Sequence, residues 1–165
     1  MKQIMDTLHI ESKSIDDTLA IAKMCASMLD HGDVVLMQGD LSCGKTYFAK
    51  GIAEYYTDKD PVTSPTYSIA NFYDCGDVTL LHIDLYRISS IEEFEDLGIA
   101  DYFDESIVLI EWGEKLIPYL EDYLLLSFRK LDSGNEHRSI VFSSEGERSA
   151  LLLKGLSDKL AYYKE

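Results

Sequence analysis

A chain of 165 residues, 46% hydrophobic and 27% charged, fits one domain over residues 1–165 with a substantial buried core. Its 30 acidic residues against 15 Lys and Arg give a net charge of −15. That balance argues against tight direct binding of RNA or DNA, which depends on a basic face, and for solubility or an acidic surface that docks on a basic partner.

The first six residues, Met1-Lys2-Gln3-Ile4-Met5-Asp6, have neither the apolar core nor the small-residue cleavage site of a signal peptide. No apolar run approaches the roughly 20 residues of a membrane helix. Residues 7–10 fit an edge strand. Ser14 followed by Asp17 has the form of a capping box, and Ile15, Leu19, Ala22, Ala26 and Leu29 mark one helical face. Gly32 is placed to end that helix. Cys25, Cys43 and Cys75 are odd in number, widely spaced and without a CxxC pair, which fits free thiols in a reducing cytoplasm better than disulfides or a metal site.

Val34-Val35-Leu36-Met37, within 33–38, has the continuous apolar character of a buried parallel strand. It runs into Gly39-Asp40-Leu41-Ser42-Cys43-Gly44-Lys45-Thr46, which fits the phosphate-loop pattern of two glycines flanking four residues, then Lys and Ser/Thr. Gly39 and Gly44 let the backbone curl so that successive N–H groups face one concavity. Lys45 supplies a point charge for the β- and γ-phosphates, and the Thr46 hydroxyl a ligand for Mg²⁺. Phe48, Ala49, Ile52 and Ala53 then recur at helical spacing over 45–56, so a helix N-terminus faces the same anion. Strand, glycine loop and helix together define a nucleotide phosphate site.

Thr63-Ser64-Pro65-Thr66-Tyr67 follows at the distance where nucleotide switches place a γ-phosphate sensor; turn chemistry before a strand accounts for it equally. Residues 66–73 and 78–84 are strand-like around the turn Asp74-Cys75-Gly76-Asp77. Ser90 with Glu93 is a second capping box, opening a short acidic helix closed by Gly98. Residues 106–111 form the next buried strand. Strands at 123–130 and 137–143 flank the hairpin signal Asp132-Ser133-Gly134-Asn135, and a helix runs over 147–162. Crossover and hairpin connections together predict an α/β fold, a three-layer sandwich like that of P-loop NTPases, with a mixed, largely parallel central sheet.

A phosphate loop needs a further acid for Mg²⁺, usually at the end of a neighbouring apolar strand. Leu80-Leu81-His82-Ile83-Asp84 ends in Asp84, and Ile107-Val108-Leu109-Ile110-Glu111 ends in Glu111. Ligands of open α/β sheets lie beyond the carboxyl ends of the strands, so both acids are candidates, one for the metal and one for the attacking water. His82 is expected to be a packed or surface histidine rather than a catalytic one. Trp112 adjoins Glu111, either shielding the site or filling the core. Arg87 is suited to clamp a phosphate or to tether the Asp84 strand to an acidic neighbour, and the tether is the expectation.

Taken together these segments resemble the TsaE family (older name YjeE), small bacterial ATPases of about this length. The likeness spans most of the chain: the phosphate loop, Ser64-Pro65-Thr66-Tyr67, His82-Ile83-Asp84-Leu85-Tyr86-Arg87, Leu97-Gly98 with Asp101-Tyr102, and Ile110-Glu111-Trp112 occur in family order. The resemblance implies an accessory ATPase of threonylcarbamoyladenosine synthesis on tRNA, with TsaD and TsaB as protein partners and tRNA held mainly by them. It implies that Thr46 and Glu111 bind Mg²⁺, that Lys45 binds phosphates, and that Thr66 and Asp84 support turnover of ATP to ADP. Nucleotide contacts are implied along Gly39, Asp40, Leu41, Ser42, Cys43, Gly44, Lys45, Thr46 and Tyr47, and at Ile10 and Arg138. The family usually has glycine where Ser42 stands and alanine where Cys43 stands. Because Cys43 lies near a helix N-terminus and Lys45, its thiol is expected to be acidic, and alkylators or oxidants to inhibit ATP binding through it.

Three functions fit these residues: a slow, partner-controlled ATPase, a small-metabolite kinase on a P-loop core, and a nucleotide-gated binding module with incidental hydrolysis. Kinases commonly array several arginines around the transferred phosphoryl group, whereas Arg87, Arg129, Arg138 and Arg148 are the only arginines here. No NKxD guanine-reading segment is present, which disfavours a GTPase.

Overall fold

Ser14 lies between the first strand, β1 (Leu8–Ser12), and the first helix, α1 (Ile15–Ala26). Its Oγ accepts a hydrogen bond from the Asp17 N–H at 3.0 Å, while the Asp17 carboxylate reaches back to the Lys13 N–H, also at 3.0 Å. The chain continues through β2 (Val34–Gln38), α2 (Lys45–Tyr56), β3 (Ala70–Asp74), β4 (Thr79–Asp84), α3 (Ile91–Asp96), β5 (Ile107–Glu111), β6 (Tyr123–Lys130), β7 (Arg138–Glu145) and α4 (Glu147–Lys159). Short 3₁₀ segments occupy Ile99–Glu105, Gly113–Tyr119 and Ala161–Tyr163. This computed structural model describes residues 6–40, 43–57 and 69–165.

The strands form one sheet in the order β1-β7-β6-β2-β5-β4-β3. The four central strands β6, β2, β5 and β4 are mutually parallel. β7, β1 and β3 join them antiparallel to their neighbours. The sheet is therefore mixed with a parallel centre, as the connection pattern predicts. After β2 the chain builds β3, β4 and β5 on one side, then crosses to place β6 on the other. The carboxyl end of β2 is thus a topological switch point, where open α/β sheets hold their ligands.

Side chains alternate between the two faces with the period of the pleat. Val35, Met37, Leu80, Ile107, Leu109, Leu124 and Leu126 join the core under α1, α2 and α4. Val34, Leu36, Leu81, Ile83, Val108 and Ile110 join the opposite core, with Phe94 of α3, Ile99 and Leu116. α2 packs closely on α1 because residue 51 is glycine: a Cβ there would stand 2.6 Å from the Ala22 Cβ and 3.0 Å from the Leu19 carbonyl oxygen. α4 is anchored by Asp122, whose carboxylate accepts from the Arg148 and Ser149 N–H groups at 2.8 Å each. Arg148 also grips Asp33, just before β2, with Nε and Nη2 both at 3.0 Å.

Boundaries differ most from the sequence reading in three places, while β1 and β7 each run two residues further than read, to Ser12 and Glu145. α1 ends at Ala26 with Ser27 as its cap, and Gly32, with φ +92°, instead turns the chain into β2 while its N–H donates to Ser106 O at 2.8 Å. The tight 28→25 and 29→26 backbone bonds draw the chain out of the helix before the glycine is reached. β3 begins at Ala70; residues 66–68, also read as strand, lie outside the described residues. The last helix stops at Lys159, and the remainder of 147–162 tightens into the 3₁₀ segment at Ala161–Tyr163.

Candidate functional site

The phosphate loop sits at the switch point. Gly39 and Gly44 adopt φ +141° and +109°, backbone conformations that side chains resist. Gly39 also passes against β6, where a Cβ would meet the Phe128 carbonyl oxygen at 2.5 Å. Gly44 opens α2 without a side-chain cap, and no acid stands in the first turn. The helix therefore brings no carboxylate of its own to its positive end, which suits an anion. Asp40 is exposed and its carbonyl accepts the Cys43 N–H at 3.3 Å; Leu41 and Ser42 lie outside the described residues. Thr46 is partly buried in the first turn of α2, and Tyr47 beside it is 45% exposed.

Lys45 is buried, and its ammonium is held at two points. Nζ donates to the Gly39 carbonyl at 2.7 Å and lies 4.0 Å from the centroid of the Trp112 ring. Trp112 is the one non-glycine residue at positive φ among those described, at +60°, and its ring packs edge-on against Tyr86 at 5.1 Å. Such a left-handed tryptophan persists only where its surroundings hold it. Here the ammonium over its face and Tyr86 at its edge supply those surroundings.

Asp84 and Glu111 are register partners at the ends of the adjacent parallel strands β4 and β5, and Glu111 is also paired with Met37 of β2. Parity places both carboxylates on the face of Leu80, Leu109 and Met37, which is the face that carries α2. The Asp84 carboxylate accepts the Tyr86 N–H at 2.9 Å. Burial pushes its pKa above the usual carboxylate value; the Tyr86 N–H opposes that rise, the Glu111 charge adds to it, and His82 and Lys45 oppose it. Glu111 is 4% exposed, and one of its oxygens lies 2.7 Å from Nε2 of the fully buried His82.

His82 is packed, as expected, and the structure adds the partner that the sequence reading did not name, Glu111. The signal was present: residues 80, 82 and 84 share one face of β4, so a histidine two positions before a candidate acid must point at the same site. Arg87 is exposed and pairs with no carboxylate among the described residues, so the expected tether is not found there. Ile10 is wholly buried in the α1–α2 core, its backbone paired with Ile140 of β7. Arg138 lies at the loop itself, with Nε donating to the Cys43 carbonyl at 3.1 Å. Thr63, Ser64, Pro65, Thr66 and Tyr67 lie outside the described residues.

Cys43 corrects an expectation. Its side chain is 1% exposed, and burial, the largest influence, raises its thiol pKa; Lys45, two backbone N–H groups and Arg138 only moderate the rise. Proximity to a cation along the chain is outweighed by loss of water. The native protein should therefore react with a thiol reagent at Cys43 at least about tenfold more slowly than the denatured chain. Mass spectrometry of a labelling time course reads this directly, and rapid modification of Cys43 in native protein would contradict it. Cys25 is fully buried, with its thiol pushed up to about 12.

No group of three or more His, Cys, Asp and Glu side chains among the described residues forms a protein cage for a metal. The donors present at the loop are hard oxygens: a threonine hydroxyl and strand-end carboxylates. They fit Mg²⁺, which keeps several waters and binds through one or two protein oxygens plus the phosphates of its nucleotide. On the opposite face of the sheet, His9, Ser127, Arg129 and Ser139 line a cleft of about 590 Å³ that Gly39, Asp40 and Trp112 also border.

A curled glycine loop at the carboxyl end of the central parallel strand, a buried lysine on the helix that follows, and acids ending the neighbouring strands define a P-loop nucleotide-binding protein. The family model for "Threonylcarbamoyl adenosine biosynthesis protein TsaE" matches residues 12–140, and the chain belongs to that family. It is 37% identical over 155 residues to the tRNA threonylcarbamoyladenosine biosynthesis protein TsaE of Bacillus subtilis, covering 93% of this chain and 96% of that one. The TsaE of Treponema pallidum is 36% identical over 132 residues, 79% of this chain and 97% of its own. The crystal structure of Bacillus subtilis YdiB superposes with a TM-score of 0.80 at 29% identity, over 96% of this chain and 99% of that one.

Proposed function

We propose that this chain is a slow, Mg²⁺-dependent ATPase that serves threonylcarbamoyladenosine formation on tRNA, acting in the cytoplasm with TsaD and TsaB. The observation that carries this reading is the pairing of Asp84 with Glu111 on the α2 face, beside a loop whose lysine is buried at its centre. Family membership supplies the pathway. The net charge of −15 supports a division of labour in which partners hold the tRNA.

In this mechanism the loop N–H groups and the α2 N-terminus bind the phosphates, and Lys45 leaves Gly39 O to take the β- and γ-phosphate oxygens. Thr46 and Glu111 would hold Mg²⁺, which would supply positive charge to offset the charge developing on the phosphates. Asp84 orients the attacking water in line with the γ-phosphate, and Thr66 supports turnover. Trp112 covers Lys45 and excludes bulk water, which strengthens the charge interactions inside. One arginine is unavailable to a kinase-like cluster, because Arg148 is committed to Asp33, before β2, while Arg138 stands at the phosphate loop, where the likeness puts a nucleotide contact.

Reconstitution with TsaD, TsaB, tRNA and a threonylcarbamoyl donor tests the reading. Modified nucleoside is expected to form over many turnovers with ATP and to stall after about one with a non-hydrolysable analogue. Full modification when this chain is omitted would refute the assignment. Equal turnover with the analogue would favour a nucleotide-gated module.

A further inference from the structure

We infer that His82 is a positioning residue that orients Glu111 toward the bound metal. The inference rests on the reading of Glu111 as a Mg²⁺ ligand. Its evidence is geometric. His82 is fully buried, and its Nε2 lies 2.7 Å from Glu111 Oε2, whose own residue is 4% exposed. An ionised carboxylate only accepts hydrogen bonds, so Nε2 carries the proton. Nδ1 is the one buried side-chain nitrogen or oxygen without a partner among the described residues. A protonated Nδ1 would be a buried donor with nothing to receive it. The arrangement therefore suits the tautomer with its single proton on Nε2.

This pair is a poor device for stability. A buried polar pair gains little over apolar side chains that would pack in the same space, and the unpartnered Nδ1 adds to its cost. Leu80, one pleat away on the same strand and face, shows what the core accepts there. What the histidine does accomplish is directional. His82 stands opposite Leu109 in the register and reaches diagonally to Glu111, while Asp84 stands directly opposite Glu111. The bond from His82 occupies Oε2, and Oε1 accepts no hydrogen bond from any described residue. The carboxylate is thereby fixed with one oxygen spent on the core and the other left for a cation. Hydrogen bonds to ligating carboxylates from beneath have this role in metal sites generally.

The test measures metal affinity with Mn²⁺ in place of Mg²⁺, by electron paramagnetic resonance of the full-length protein saturated with ADP. His82→Leu is expected to weaken Mn²⁺ binding about tenfold or more, with ADP affinity in EDTA unchanged. His82→Gln, whose amide nitrogen can stand where Nε2 stands, should recover most of the loss; His82→Asn, with its amide at the Nδ1 position, should not. In a Glu111→Gln background, His82→Leu should change Mn²⁺ affinity by less than about twofold, because its route of action is gone. The inference is overturned if His82→Leu binds Mn²⁺ as the parent does. It is also overturned if the loss is the same size in the Glu111→Gln background, or if Asn rescues as well as Gln. Should His82→Leu fail to fold, as thermal melting would reveal, the Gln and Asn pair decides alone. Failure of the unaltered protein to bind Mn²⁺ with ADP would instead sink the metal–nucleotide reading beneath it.

Discussion

Lys45→Ala is expected to remove ATP and ADP binding from calorimetric detection, an affinity loss of at least about a hundredfold. Charge-assisted hydrogen bonds contribute roughly 1.5–3 kcal/mol each, and Lys45 serves two phosphates, so about 3 kcal/mol or more is at stake. The ammonium is already gathered in at the loop: it donates to Gly39 O at 2.7 Å and lies 4.0 Å from the Trp112 centroid. A phosphate must replace one carbonyl bond with two or three stronger ones, and the lysine travels only a short way to make them. Lys45→Arg should not restore binding, because a planar guanidinium neither fits between Gly39 O and the indole face nor acts as a compact point charge. Both variants should fold, since neither alters a residue of the apolar core beneath α2; melting curves within a few degrees of the parent would establish this. Near-parental ADP affinity in a folded Lys45→Ala protein would remove the phosphate loop from the mechanism.

The legible parts of this chain are those where a local rule and the tertiary environment agree. The bounds 45–56 of α2 could be read because a left-handed glycine must precede the helix and its apolar face repeats without interruption. β4 and β5 could be read because each is an apolar run stopped by an acid, and the register confirms that the two acids are neighbours. Both hairpins announce themselves through Asp- and Gly-rich turns. The failures share a cause of the opposite kind. The cation two residues from Cys43 along the chain suggests an acidic thiol, whereas packing around the thiol governs it. Residue type suits Gly32 to a helix end, yet the chain leaves the helix at Ser27 to bring Asp33 under Arg148. His82 is packed as its apolar strand predicts, but its partner Glu111 emerges only from the cross-strand register. Burial and cross-strand partnership are properties of the assembled sheet, and composition gives no access to them.

Asp84→Asn should yield a protein that melts higher and hydrolyses ATP more slowly. Burial raises the Asp84 pKa in the folded state above its value in the unfolded chain. The folded state therefore holds this proton more tightly, and stability falls as pH rises from the unfolded value, about 3.9, through the raised folded one. Above that window the full penalty of an ionised, half-dry carboxylate is in force. Asparagine keeps the oxygen that accepts the Tyr86 N–H and carries no charge. Its advantage in melting temperature should be complete at neutral pH and should vanish once pH drops below about 4, where the parent is protonated in both states. Each kcal/mol relieved corresponds to about 2–4 °C for a chain of this size. Activity should move the other way, because a neutral amide orients the attacking water less strongly and takes no proton from it. Phosphate release should fall about a hundredfold while ATP affinity is kept. Melting across pH, set beside single-turnover hydrolysis, measures both halves on one sample. A variant that melts no higher at neutral pH would show that the buried charge is already compensated. A variant that hydrolyses ATP normally would move the water-orienting role away from β4 altogether. The expected pairing of gained stability with lost turnover is the signature of a carboxylate held in place by function against the preference of the fold.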